Sequence, residues 1–475
     1  MGELHDLSVL EQAAAIRRRE VRPVELVEHY LERIDRLDSK LGAFVTVTAE
    51  RALEAARLAE ARLHRAAEEE DLPPLLGVPT AIKDLNLTAG VRTTFGSAVT
   101  REFVSPLDDH VVTLLARAGL ISLGKTNTPE FGLPCYTEPD VAPPARTPHD
   151  LSRSAGGSSG GAGAAVAGGL LPVAQGSDGG GSIRIPASVC GLVGLKTSRG
   201  RVSGGPISAD PIGLSGNGVL ARSVRDAAVL LDAMAVPMPG DPWWAPPLGA
   251  GETFLGAVDR PSKGLRIGRY SKPAVADASL DPACLDAFEQ ASTLLERLGH
   301  HVEDCPPPFG PDVVARFEVL WAVGAAALPV PPSLEGELRP LTRWLRERGR
   351  KVGGVELLEA AVAAQQAARR AIEATEGYDA VLTPTLAQPP FPVGALRNDA
   401  DPAADFAAQE RFTPYTAAYN LTGQPAISLP LHWTPAGLPI GVQLVGRPAG
   451  EAPLLALAGQ LEQAAPWKDH LPDCW

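Results

Sequence analysis

The sequence predicts an α/β protein in which buried strands of a sheet are interleaved with helices. Three observations carry the prediction. From Leu75 the chain alternates short apolar runs with glycines, in LLGVPTAIKD, GLISLGKTNTPEFG and GGLLPVAQGSDGGGSIRIPASVCGLVGLK. Strands buried on both faces read as near-continuous apolar runs rather than as strict alternation. Ala-rich and 3.6-periodic stretches lie between and after these runs, as α/β layering requires. Toward the C-terminus YDAVLTPT (378–385), QPAISLP (424–430) and IGVQLVG (440–446) return to strand texture and complete the sheet.

Taken in order, residues 8–70 read as helical. Ser8 and Glu11 have capping-box spacing. Pro23 suits the first turn of a helix whose Leu26, Tyr30, Ile34 and Leu37 share one apolar face. The strand-rich core spans 71–235 and ends in a helix, RSVRDAAVLLDAMA. PMPGDPWWAPP (237–247) is a loop or linker, because each proline removes a donor and fixes φ. Residues 240–375 form a variable, mostly helical region, with a helical insertion near 265–375 in which LDAFEQASTLLERLGH and LLEAAVAAQQAARRAIEA keep helical spacing. Residues 376–475 close the fold, and no internal repeat is found.

At 475 residues the chain can bury a sizeable site. Its 45% hydrophobic and 21% charged content is that of a globular protein. A net charge of −13 offers no general attraction to nucleic acid or anionic membrane, and a small uncharged or cationic ligand fits better. Cys135, Cys190, Cys284, Cys305 and Cys474 are odd in number and scattered, without spacing for zinc, so free thiols are expected. The opening MGELHDLSVLEQ lacks a basic, then apolar leader, and no run of about 18 apolar residues occurs, so a cytoplasmic location is expected.

The most biased stretch is GGSSGGAGAAVAGG (156–169). A flexible linker would leave its Ala-rich apolar continuation unburied. As a dinucleotide cradle it fails, because Val166 occupies the third small position and the lead-in HDLSRSAGG is polar where a strand is required. Gly156, Ser158 and Gly160 satisfy GxSxG, but a nucleophile elbow also needs a buried strand running into it. A further reading joins this stretch to two others. In DGGGSIRIP, Ser182 follows Gly179, Gly180 and Gly181, whose unhindered N–H groups can converge on a developing oxyanion. In GVPTAIKDLN, Lys83 ends a mostly apolar run; burial there would lower its pKa and leave a neutral amine able to act as a base. Taken alone, Lys83 also reads as a surface lysine at a strand end.

These three blocks together resemble the amidase signature family, from about residue 7 to the C-terminus. AIKDLN, GGSSGG and the serine 24 residues beyond the first serine of GGSSGG match in order and spacing, as do GKTNTPEFG, SVCGLVGLK, YDAVLTPT and NLTGQPAISLP. Within that family the chain is similar to bacterial 6-aminohexanoate cyclic dimer hydrolases, aryl acylamidases and urethanases. The resemblance implies the amidase signature fold, a central mixed sheet covered by helices on both faces, as a single large domain over 1–475. It implies Ser182 as nucleophile, Ser158 as a bridging serine preceded by a cis peptide, and Lys83 as base. It further implies Gly179, Gly180 and Gly181 as oxyanion loop and Asp178, Arg184 and Ser159 as bracing residues; Asp178 and Arg184 read equally as an ion pair that only holds the loop. No cofactor or metal is implied. The expected substrates are small or oligomeric amides, with carbamates and esters as further classes, cleaved by a monomer or homodimer. An amidotransferase A-type subunit working with a partner is the alternative, against which FGLPCYTEPD (131–140) departs from the glycine-rich form. Gly179 stands where the family often has a larger residue, and opens room near the leaving group. Pocket walls are expected from 131–140, 203–217 and 310–375, with Cys135 a candidate lining thiol.

Overall fold

The computed structural model describes residues 3–66, 72–208, 210–260, 262–273, 276–310 and 312–475. Eleven strands are found among them, in two sheets. The smaller holds β1 (Phe44–Val47), β3 (Ile121–Thr126) and β2 (Pro79–Lys83) in that order, with β1 antiparallel and β2 parallel to β3. The larger runs β4 (Val173–Asp178), β6 (Gly216–Ala221), β5 (Val193–Lys196), β10 (Ala426–Trp433), β11 (Pro439–Gly446), β9 (Ala380–Pro384), β7 (Arg266–Arg269), β8 (His301–Asp304). Neighbours from β4 to β9 are antiparallel, and β9, β7 and β8 are parallel, so the sheet is mixed as expected.

Between the two sheets, side chains make the junction. Thr80 Oγ1 donates to the Val173 carbonyl at 3.1 Å, and the Lys83 N–H donates to Gln175 Oε1 at 2.9 Å. The end of β2 is thereby held against β4, which is what brings Lys83 beside the glycine-rich loops. Helices cover both faces of the larger sheet. On β11, Gln443 reaches Arg184 of helix Arg184–Cys190, whereas Gly446, an odd number of residues on, lies against Leu454 of helix Glu451–Ala464.

Sequence-level expectations hold in much of the chain. Ser8 Oγ accepts the Glu11 N–H at 3.2 Å, and Glu11 accepts the Ser8 N–H at 2.8 Å. Pro23 opens helix Pro23–Leu41, and Leu26, Tyr30, Ile34 and Leu37 are buried along it. The stretch 8–70 is not helical throughout, however. Gly42 ends that helix at φ 61°, and FVTV, β-branched and aromatic, then pairs as β1. Residues 67–70 of the same stretch lie outside the described residues. The block at 265–375 is mostly helical, with helices Pro282–Arg297, Asp312–Ala326, Pro340–Arg350 and Gly354–Thr375, yet it also supplies β7 and β8. PMPGDPWWAPP is irregular but anchored: Arg199 lies 5.2 Å over the Trp243 ring, whose N–H donates to the Asp210 carbonyl. Among the described residues no helix is long and apolar enough to cross a membrane.

Candidate active site

Three chain segments meet at the junction of the sheets. The first is the end of β2, where Lys83 is fully buried. Its Nζ lies 2.7 Å from Ser158 Oγ and 3.1 Å from both the carbonyl and the hydroxyl of Ser177. Burial pushes the Lys83 amine down from 10.5 to about 7, against the opposing pull of the Asp178 carboxylate. The lysine expected in apolar surroundings is therefore there, and its contacts suit a neutral amine. Two N–H bonds can serve Ser177 while the lone pair faces the Ser158 hydroxyl.

The second segment is GGSSGG. The peptide between Gly157 and Ser158 is cis, as the resemblance implies. Thr128 Oγ1 donates to the Ser158 carbonyl at 3.0 Å, fixing the backbone that presents Ser158 Oγ. Ser159 is buried; its hydroxyl donates to the Ser177 carbonyl at 3.2 Å and accepts the Ser177 N–H at 3.3 Å. It braces the strand residue that holds the lysine. Helix Gly160–Ala167 follows at once and is buried on every side, so the stretch is neither a linker nor an exposed loop. Gly161 is required by close approach, since a Cβ there would stand 2.2 Å from the Asn127 nitrogen.

The third segment runs from β4 into helix Arg184–Cys190. Asp178 and Arg184 are both fully buried and paired through two contacts, at 2.9 and 3.0 Å. All five guanidinium N–H groups are used, the others going to Thr416 O, Gln443 Oε1 and Asn420 Oδ1. Burial alone would raise the Asp178 carboxyl, but Arg184 holds it well below the usual carboxylate range. Asp178 also accepts the N–H groups of Gly181 and Ile183, at 2.8 and 3.1 Å. This corrects one expectation. Gly181 was expected among the oxyanion donors, but its N–H points back into Asp178, and Thr416 Oγ1 holds the Gly180 carbonyl at 2.7 Å on the other side of the same peptide. The N–H groups of Gly179 and Gly180 make no hydrogen bond among the described residues. The Ser159 N–H donates to the Ser182 carbonyl at 3.0 Å, tying the two serine loops together.

Ser182 is 8% exposed, against 2% for Ser158, and it stands on a cavity. The walls are mostly apolar: Leu133, Phe317, Trp321, Phe406 and Leu421, with Gly180 and Cys135 also on the surface. Of the expected wall segments, 131–140 and the helical block contribute. The segment 203–217 does not: apart from Ala209, which lies outside the described residues, it faces a second, more polar cavity that also touches Ser177. The wall at 406–421 was missed, as were Ser177, Gln175 and Asn420. In β4, VAQGSD, the polar residues Gln175 and Ser177 alternate on one face, which is the signal that could have found them.

A buried amine lies within hydrogen-bonding distance of one serine, and a second serine on a glycine loop faces an apolar cavity. The chain belongs to the amidase family, whose model matches residues 25–455. It is a hydrolase of amide C–N bonds. It is similar to the solved structure of 6-aminohexanoate cyclic dimer hydrolase complexed with substrate, at 32% identity over 99% of both chains and a TM-score of 0.91. It is also similar to a bacterial aryl acylamidase, at 25% identity over 98% of both chains and a TM-score of 0.86. The A-type subunit of the glutamyl-tRNA(Gln) amidotransferase of Azotobacter vinelandii is 37% identical over 99% of this chain and 100% of its own.

Proposed function

We propose that this protein is a stand-alone hydrolase of small or oligomeric amides, aryl or alkyl, with carbamates and activated esters as further substrates, acting through an acyl-enzyme on Ser182. The contact that carries the reading is Lys83 Nζ to Ser158 Oγ at 2.7 Å, made by a buried amine brought to about 7. Neutral Lys83 accepts the Ser158 proton as Ser158 accepts that of Ser182, and Ser182 Oγ bonds to the carbonyl carbon. Gly179 and Gly180 N–H groups meet the oxygen as it takes up charge. The proton returns along the relay to the amide nitrogen, the C–N bond breaks and the amine leaves. Water then gives a proton to the relay and adds to the acyl carbon, and the bond to Ser182 Oγ breaks with reprotonation of the serine. The cavity against Ser182, walled by apolar groups, supports a small organic acyl or amine portion.

The test is an anilide, an alkyl amide, a carbamate and an ester assayed with the chain alone, beside Ser182→Ala. Turnover of at least one amide that vanishes in Ser182→Ala, with fluorophosphonate labelling lost in parallel, is the expected result. Hydrolysis retained by Ser182→Ala would overturn the nucleophile assignment. Amide turnover that needs a partner protein would favour the amidotransferase reading.

A further inference from the structure

We propose that Glu410 sets substrate preference by recognising a protonated amine at the end of the substrate remote from the scissile carbonyl. The inference rests on Ser182 being the reacting serine, and it names the substrate class for that cavity. Among the described residues lining the cavity, Glu410 is the one acidic or basic side chain on otherwise neutral walls. The neighbouring polar groups are committed. Gln409 accepts the Cys135 N–H at 2.8 Å and donates to Asp405 at 2.6 Å, and Thr413 Oγ1 donates to the Gln409 carbonyl at 2.9 Å. No hydrogen bond or ion pair reaches the Glu410 carboxyl from the described residues. Glu410 is thus a half-buried acceptor with nothing to accept from.

Its position gives it a direction. Glu410 and Val314 border both the cavity at Ser182 and another cavity that Lys272, Asp277 and Arg411 also line. Glu410 therefore stands at the neck between them, with an apolar stretch separating it from the serine. A ligand with a reactive carbonyl, an apolar spacer and a terminal ammonium matches that sequence of surfaces. The charged groups acting on Glu410 are Glu318 of helix Asp312–Ala326, Arg348 of helix Pro340–Arg350, and Arg411 beside it. Glu318 and Arg348 already satisfy one another at 2.6 Å. Burial first, and Glu318 second, push the Glu410 carboxyl up to about 7. A bound ammonium supplies the missing countercharge and favours the ionised form.

Two matched pairs test this. One is an ω-aminoacyl anilide against the acyl anilide of equal chain length; the other is an N-(ω-aminoalkyl) amide against the N-alkyl amide. The quantity read is the ratio of kcat/KM, cationic over neutral. In at least one pair it should favour the cationic member, rise with pH through about 7 as Glu410 ionises, and fall by about 10- to 100-fold in Glu410→Gln. Lys83 titrates in the same range but acts on both members and cancels in the ratio. Glu410→Asp, shorter but ionisable, should keep the pH dependence of the ratio in weakened form. Fluorophosphonate labelling of Ser182 in each variant checks that the site is assembled. Ratios unchanged by Glu410→Gln in both pairs overturn the proposal while leaving the Ser182 reading intact; hydrolysis that survives Ser182→Ala removes the reading beneath it.

Discussion

Lys83 shows how much of the chemistry is decided by where one side chain ends. An exposed lysine would be protonated at neutral pH and unable to accept a proton; full burial at the end of β2 brings its amine to about 7. In the proposed relay the charged form is inactive, so kcat/KM for an uncharged amide should rise with pH and level off above about 7. A profile flat from pH 5 to 8 would exclude Lys83 as base. Lys83→Met should lower amide hydrolysis by about 10²- to 10⁴-fold and activated-ester hydrolysis by less, since a good leaving group needs no returned proton. Asp178 obeys the opposite sign. Its carboxyl lies below the ordinary range in the fold, so its contribution to stability is complete above the unfolded value and is lost only as pH falls through the lower, folded one. Arg184 should therefore keep the glycine loop in place through mild acid. Asp178→Ala leaves a buried guanidinium without its partner, and thermal or urea unfolding should register a loss of about 3–5 kcal/mol. A loss under 1 kcal/mol would mean that the pair does not hold the loop.

At the scale of elements, the sheet junction requires backbone contacts that few residues permit. A Cβ on Gly161 would meet the Asn127 nitrogen at 2.2 Å and the Ala43 carbonyl at 2.5 Å, and neither is a flexible side-chain end. Gly161→Ala should cost about 1–3 kcal/mol in urea unfolding and lower activity, because Thr128, next to Asn127, fixes the Ser158 backbone. Gly324, inside helix Asp312–Ala326, is the contrasting case: a Cβ there meets nothing within 4 Å. Gly324→Ala should stabilise by about 0.5–1 kcal/mol, and equal effects at the two sites would refute the steric argument. The same contrast explains what the sequence made legible. β2, β3, β4 and β9 to β11 fall within apolar runs bounded by turn residues, and burial on both faces demands that composition. β7 and β8 have four residues each, and His301–Asp304 is polar and mostly exposed, so neither period nor composition marks them; β1, FVTV, has strand composition but only four residues between two helices. That the segments GVPTAIKDLN, GGSSGG and DGGGSIRIP come together was legible through their glycine and apolar contexts. The commitment of the Gly181 N–H to Asp178 was not, because it depends on which way one peptide plane turns.

For the molecule as a whole, the proposed relay and the cavity wall come from parts far apart in the chain. Lys83, Ser158 and Ser182 sit where the two sheets meet, while Phe317 and Trp321 reach the cavity from the helical block, their rings stacked with centroids 5.3 Å apart. A Cβ on Gly179 would meet Ser215 Oγ at 2.9 Å and the Trp321 ring at 3.5 Å, so this glycine lies between the polar segment at 203–217 and the helical block. Such a division predicts separable effects. Trp321→Ala removes aromatic surface without touching Lys83 or its burial. KM for an anilide should then rise about 3- to 10-fold, the size of one lost aromatic pairing, with a smaller rise for an alkyl amide and no movement of the acid limb near pH 7. Steady-state kinetics on both substrates from pH 5 to 9 would measure all three quantities. If the acid limb moved with the mutation, the wall and the relay would be one coupled unit, and the helical block would be part of what sets the state of the lysine.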